Sequence, residues 1–191
     1  MHTVAGLLQE EVHLPLFPRV VCPGPFEEGA WLTLQDSSQL GLGAFLAEGP
    51  GCFFCDQWLD WERECFHINV TEALATSISL DVFGEGVPGV HMVSVIHEAV
   101  DNTTAEHSAH ANRSKSRELH MSRTLSRRAL SLARLGITST TMRVSTKQNL
   151  FADLLSRGAV EEFLWAARQC GFEPIRLAIP GAARSTHFLI A

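Results

Sequence analysis

A chain of 191 residues with 46% hydrophobic residues is long enough to bury a core, and its length predicts one domain. Nowhere does it contain the roughly 18 consecutive apolar residues of a membrane helix. The N-terminus, with Glu10 and Glu11, also lacks the basic region of a secretory signal. We therefore expect a soluble intracellular protein, cytoplasmic or nuclear. Five cysteines, an odd number, argue against a disulfide framework.

The charge is unevenly distributed. The net charge is −6, yet between Arg113 and Arg134 seven basic residues face one acid, Glu118. A basic segment of this kind is what phosphate binding requires, since binding depends on local rather than global charge. An ordinary solvated helix face gives the same pattern.

The first elements predicted along the chain are strands. Residues 1–28 contain four prolines and little periodicity, which is typical of a lead-in or linker. Residues 31–35 and 40–47 predict a hairpin, and residues 52–59 a third strand. Asp36 would then stand at the end of the first strand.

A helix, a strand and another helix follow. Asn69 is placed to cap a helix with Glu72 at its third position, and an apolar stripe at helical spacing predicts the buried face: Val70, Leu74, Ile78 and Val82. Residues 90–100 are rich in strand-forming residues and lead into Asp101, after which a helix is expected from about residue 103.

The second half predicts three helices and a strand. Residues 116–135 predict a helix that Gly136 ends, with an apolar stripe of Met121, Leu125, Ala129, Leu132 and Leu135. Residues 137–144 predict a strand. Asn149 then caps a short helix that carries Asp153, and residues 159–170 form another helix.

Four carboxylates lie in separate short motifs. Asp36 closes the apolar run Ala-Trp-Leu-Thr-Leu-Gln-Asp-Ser-Ser, and Glu72 occurs in Ile-Asn-Val-Thr-Glu-Ala-Leu. Asp101 occurs in Val-Asp-Asn-Thr-Thr-Ala, and Asp153 in Asn-Leu-Phe-Ala-Asp-Leu-Leu-Ser-Arg. This order and these contexts, over roughly residues 29–158, resemble the ribonuclease H domain of retroelement reverse transcriptases.

The resemblance implies an α/β fold in which a five-stranded mixed sheet, first an antiparallel meander and then parallel strands, carries helices on both faces. The domain would span residues 29–171, followed by a C-terminal tail of residues 172–191. The activity implied is hydrolysis of the RNA strand of RNA/DNA hybrids. The chain would be part or a remnant of a retrotransposon polyprotein, with a reverse transcriptase polymerase domain as a further partner.

Phosphodiester hydrolysis needs hard oxygen ligands that hold two Mg²⁺ or Mn²⁺ ions. The resemblance implies that Asp36 bridges both metals, that Glu72 and Asp101 complete the shell of the first, and that Asp153 holds the second. Each acid alone also fits a plainer role as a turn residue or helix cap.

Six residues are expected to contact nucleic acid. The resemblance assigns this role to Asn102, beside Asp101, and to Asn149, four residues before Asp153. The simpler interpretations are a turn amide for Asn102 and a helix cap for Asn149. The others lie before or at the start of the long helix, where hydroxyl, backbone and basic groups can hold phosphate: Ser114, Lys115, Ser116 and Arg117.

Three alternatives remain at this point. Cys52, Cys55, Cys65 and His67 are residue types able to form a zinc site, but alternation along a strand would send Cys52 and Cys55 to opposite faces. The domain could be a non-catalytic ribonuclease H-fold module that binds nucleic acid. It could also be a transposase or integrase core, although such cores use three acids that end in Glu.

Overall fold

The computed structural model describes residues 30–47, 51–84, 94–101 and 119–181. Six strands and five helices occur in these ranges. In chain order they are β1 Ala30–Ser37, β2 Gly41–Leu46, β3 Cys52–Gln57, α1 Asp60–Cys65, α2 Ile68–Gly84, β4 Val95–Val100, α3 Leu119–Leu135, β5 Thr138–Arg143, α4 Leu150–Ser156, α5 Val160–Gln169 and β6 Ile175–Arg176. No helix in these ranges is long and apolar enough to cross a membrane.

The six strands form one mixed sheet in the order β5-β4-β1-β2-β3-β6. The first three strands are antiparallel neighbours, whereas β4 pairs in parallel with both β1 and β5. The predicted α/β class and the meander followed by parallel strands are therefore confirmed. The sheet has six strands rather than the five predicted, because β6 pairs in parallel with β3.

Helices cover both faces of the sheet. On one face, α2 and α3 pack over apolar side chains such as Trp31, Leu42 and Phe54. On the other, α4 and α5 pack over Leu32 and Phe45. Alternate residues of each strand point to opposite faces, which is why all eight residues of β1 are buried.

A cluster of aromatic rings packs α4, α5 and the chain after α5 against the sheet. The Phe45 ring meets Phe151, Phe163 and Phe172 edge to face, with centroids 5.2, 5.6 and 5.2 Å apart. Edge-to-face pairs at this spacing add to the gain from burial alone. The segment after α5 therefore contributes to the core.

Gly43 of β2 allows α4 to approach the sheet closely. A Cβ atom at this position would lie 2.8 Å from the backbone nitrogen of Ser156, nearer than real Cβ contacts come. Gly43 is paired with Asp36 across the hairpin. The glycine thus brings the end of α4 against the end of β1.

The first two helices differ from the sequence prediction. Helix α2 begins at Ile68, so Asn69 lies inside it and does not cap it, and Glu72 is not the acid of a capping box. Helix α1 was not predicted. It begins after Leu59, whose backbone N–H donates to Glu62 Oε2 over 2.6 Å.

Helix α3 ends where expected, before Gly136 with a φ of +66°. Strand β4 is described from Val95 onward, and the earlier part of predicted strand 90–100 reaches outside the described residues. The helix predicted from about residue 103 also lies outside them.

Candidate active site

Two of the predicted acids stand at one edge of the sheet. Asp36 is the penultimate residue of β1, and Asp101 directly follows β4. The parallel register pairs Leu34 with Ala99, so Asp36 and Asp101 are each two residues beyond a matched pair. Carboxyl ends of neighbouring parallel strands are where open α/β sheets place their chemistry.

Asp153 lies near the same edge, on a helix that packs against one face of the sheet. It lies in α4, which packs against β1 and β2, and its charge acts on Asp36 together with that of Asp101. The structure therefore brings Asp36, Asp101 and Asp153 into one electrostatic environment.

The carboxyl group of Asp36 lies in a buried and acidic environment. Asp36 is 8% exposed. Burial, together with the negative charges of Asp101 and Asp153, raises the pKa of Asp36 to about 6. The Ser156 hydroxyl opposes this change, since it donates to Asp36 Oδ2 over 2.6 Å. A buried carboxylate beside two others is costly without a cation.

The other two aspartates have partners of their own. Arg157 donates from Nε to Asp153 Oδ1 over 2.9 Å, with Nη2 2.8 Å from the same oxygen. This bond and the negative charges of Asp153 and Asp36 raise the pKa of Arg157. Thr146 Oγ1 donates to Asp101 Oδ2 over 2.9 Å. Arg157 thus supplies part of the positive charge that the acids require.

Glu72 lies half-buried near the start of α2, the helix that packs over β1. This places it on an element adjoining the site. Its membership in the acidic set stays a prediction.

The donor chemistry of the aspartates fits a divalent cation. Carboxylate oxygens are the ligands that Mg²⁺ takes, usually few in number and completed by waters and substrate phosphate. A cation would also offset the burial and the neighbouring negative charges that raise the pKa of Asp36. In the described part of the chain, however, no three acids, histidines or cysteines are grouped closely enough to hold one ion, so binding by all three requires their side chains to turn.

Asn149 has a role that differs from capping. It occupies the position before α4, but its side chain makes no cap hydrogen bond. Fully buried, it donates instead from Nδ2 to the backbone oxygen of Gln35 over 3.0 Å. The amide ties the start of α4 to β1 beside Asp36. A contact between Asn149 and nucleic acid stays a prediction.

A buried polar network adjoins the site and was not predicted. The side chain of Gln35 donates to Glu98 Oε1 over 3.3 Å, and Arg128 pairs with Glu98 Oε2 and donates to Ser139 over 2.7 Å. Arg128 is 0% exposed, so it belongs to the core rather than to a phosphate-binding surface. Its spacing from Met121 and Leu125, on the buried face of α3, is the signal that identifies it.

Two more arginines of the basic segment are engaged within the molecule. Arg127 lies 3.5 Å and Arg134 3.7 Å from carboxylate oxygens of buried Asp81. The net positive charge available on α3 is therefore smaller than the sequence count indicates. The predicted contacts Asn102, Ser114, Lys115, Ser116 and Arg117 lie outside the described residues.

The cysteines do not form the alternative zinc site among the residues that the structure describes. Cys52 belongs to the core under α2, whereas Cys55 packs against the opposite cluster. Burial raises the pKa of both thiols, which disfavours the thiolates that zinc needs.

Comparison with solved structures identifies the fold. The ribonuclease H1 of the halophilic archaeon Halobacterium salinarum NRC-1 matches with a TM-score of 0.51 and 16% identity, over 70% of this chain and 99% of its own. LC11 ribonuclease H1, solved in complex with an RNA/DNA hybrid, matches with a TM-score of 0.50 and 14% identity, over 71% and 98%. No protein-family model matches the sequence, and no curated protein does. The described domain has a ribonuclease H-like fold.

Proposed function

We propose that this chain is a metal-dependent endonuclease that hydrolyses the RNA strand of RNA/DNA hybrids, as part or a remnant of a retrotransposon reverse transcriptase. The observation that carries the proposal is the meeting of Asp36, Asp101 and Asp153 at one sheet edge, where they share an electrostatic environment. The retroelement origin rests on the motif contexts alone.

The residues have distinct proposed roles. Asp36, Asp101 and Asp153, with Glu72, would hold two Mg²⁺ or Mn²⁺ ions. When bound, such ions activate the attacking water and stabilise the negative charge that develops on the phosphate. Ser156 orients the Asp36 carboxylate through its hydrogen bond. Asn149 holds the backbone of β1 in place just before Asp36.

Substrate choice would depend on the ribose. The 2′-hydroxyl marks RNA in the shallow minor groove of a hybrid. Asn102, Ser114, Lys115, Ser116, Arg117 and Asn149 are the proposed contacts to the nucleic acid, and an attached polymerase domain would be a further source of affinity.

The test is cleavage of an end-labelled RNA/DNA hybrid in Mg²⁺ or Mn²⁺ by the full chain. Asp36→Asn and Asp101→Asn are each expected to reduce cutting of the RNA strand at least about 100-fold, since each removes a charged metal ligand. Glu173→Gln is the matched control, because the Glu173 side chain is 81% exposed and lies outside the acidic site. Duplex DNA of the same sequence should stay intact.

Equal cutting by the wild type and both aspartate variants would contradict the proposal. A second candidate is a non-catalytic hybrid-binding module, and the observation that favours it is the pairing of Arg157 with Asp153. Hybrid binding without cutting at any metal concentration would favour that module. Joined DNA strands among the products would indicate a transposase or integrase core.

A further inference from the structure

A cleft with three arginines adjoins the acidic site. It has a volume of about 460 Å³ and lies between the end of β3, the turn after β1 and the junction of α4 with α5. Arg63, Arg157 and Arg176 line it, together with one acid, Asp56. Its side chains carry net positive charge, although the chain as a whole is acidic.

Each arginine is anchored by different means. Arg176 stands on β6, whose parallel pairing with β3 is supported by a 2.8 Å bond from Leu177 N to the Phe53 carbonyl. Arg63 forms an ion pair with Asp60 on α1. Helix α1, strand β6 and the junction of α4 with α5 therefore supply positive charge to one cleft.

The anchoring leaves donors available. A guanidinium group carries five N–H donors, and the contact of Arg63 with Asp60 uses Nη2. Arg176 Nη2 lies 3.6 Å from Cys55 Sγ, a weak acceptor. An anion in the cleft can thus receive hydrogen bonds from Arg63 and Arg176 without breaking these contacts.

The cleft is continuous with the acidic site through two residues. Ser156 lines the cleft and donates to Asp36. Arg157 also lines it while it binds Asp153. A strand whose phosphate lies at the aspartates therefore has positive charge beside it along this path.

We propose that this cleft is a phosphate subsite that holds a backbone phosphodiester of the nucleic-acid substrate, with Arg63 and Arg176 as its contacts. The inference rests on the proposed function for the identity of the strand. Guanidinium groups bind phosphate oxygens in a fork geometry, and contacts of this kind set the register of a strand without reading its bases.

The test measures binding of a fluorescent RNA/DNA hybrid in EDTA at several salt concentrations. Arg63→Gln and Arg176→Gln are each expected to weaken binding about three- to tenfold, as for a partly exposed charged contact. Each should also reduce the slope of log Kd against log salt by roughly 0.7–0.9. Arg168→Gln is the matched control: its side chain is 55% exposed, it pairs with Glu173, and it should bind with the wild-type slope.

Hybrids with a single neutral methylphosphonate locate the contact. The wild type should lose affinity at one position of the strand, whereas Arg176→Gln should show no additional loss there, because the variant already lacks the partner. Thermal denaturation of each variant verifies that the chain is folded.

Unchanged affinity and slope in both arginine variants would overturn the subsite, even if the wild type cuts the hybrid. Failure of the wild type to bind any hybrid would also overturn it. If the wild type binds without cutting and the arginine variants weaken that binding, the subsite stands although the nuclease proposal fails. Saturable binding of inorganic phosphate that Arg176→Gln abolishes, with unchanged hybrid binding, would assign the cleft to free phosphate instead.

Discussion

The carboxylate of Asp36 makes the metal-free domain less stable at neutral pH. Its pKa is about 6 in the folded chain, against 3.8 ordinarily, so the folded chain holds this proton where the unfolded chain releases it. The stability gained from the proton is complete below pH 3.8 and is lost as the pH rises through about 6. We therefore expect Asp36→Asn to stabilise the metal-free chain at pH 7.5 by on the order of 3 kcal/mol, measured by urea denaturation in EDTA.

The same variant should give no such gain at pH 4, where Asp36 is protonated in the folded wild type. Added Mg²⁺ stabilises a chain when it binds the folded state alone. It should stabilise the wild type more than the variant, because the variant lacks the proposed carboxylate ligand at residue 36. Glu173→Gln, at an exposed position, serves as the control and should leave stability nearly unchanged. A lower stability of Asp36→Asn than of the wild type at pH 7.5 would contradict the prediction that the buried charge of Asp36 destabilises the folded chain.

The position of a single residue could be predicted from the sequence where it depends only on the residues next to it in the chain. Asp36 lies at the end of a strand and Asp101 directly follows one. Local sequence defines both strands, so these two positions could be predicted. The contact of Ser156 with Asp36 spans 120 residues and depends on how α4 packs, which no local pattern records. Asn149 illustrates the same limit, because its position predicts a cap while its side chain binds β1.

Among the elements, α4 depends on one glycine of β2 for its position. Gly43→Ala is expected to destabilise the domain by roughly 1–3 kcal/mol, since the new methyl group would meet the backbone of Leu155 and Ser156. Any shift of α4 also moves Asp153 away from Asp36, so hybrid cutting should fall further than the loss of folded protein explains. Urea denaturation and cleavage rates measure the two effects.

Gly181→Ala is the matched control, because a Cβ there meets no atom of the described residues within 4 Å. Wild-type stability and cutting in Gly43→Ala would mean that α4 does not need this close approach.

A buried ion pair links α3 to the sheet. Burial raises the pKa of Glu98, and Arg128 counteracts that rise, so either partner alone would be a buried charge. Arg128→Met is expected to cost about 3–5 kcal/mol. The double variant Glu98→Leu with Arg128→Met should cost less than the single one, because no charge is left unpaired. A double-mutant cycle in urea measures the coupling.

Additive costs in that cycle would contradict the pairing. The charge count of the sequence could not separate Arg128 from its exposed neighbours, but the helical period could. Arg128 lies seven residues after Met121 and three after Leu125, both buried. An arginine on the apolar face of a helix predicts a buried acid opposite it, a signal that the count of basic residues hides.

For the molecule as a whole, the order of strands β1 to β5 and of helices α2 to α5 could be predicted because periodicity and glycine positions mark them, whereas the short helix α1 was missed. The sixth strand could not be predicted, because a strand of two residues is too short to show an alternating hydrophobic pattern. It is defined only by its pairing with β3. The sequence prediction ends the domain at residue 171, after the last predicted helix, whereas Phe172 beyond it packs in the core.

Truncation tests where the folded unit ends. A chain that stops after Gly171 loses β6 and the ring of Phe172, which is 7% exposed and stacks edge to face on Phe45. Loss of a buried aromatic ring alone costs about 3–5 kcal/mol, so this truncation should be strongly destabilised in urea relative to one that stops after Gly181. The longer truncation retains both features and Arg176, and should keep hybrid affinity as well. Equal stability of the two would instead show that residues 172–181 belong to the predicted tail and that the core closes without them.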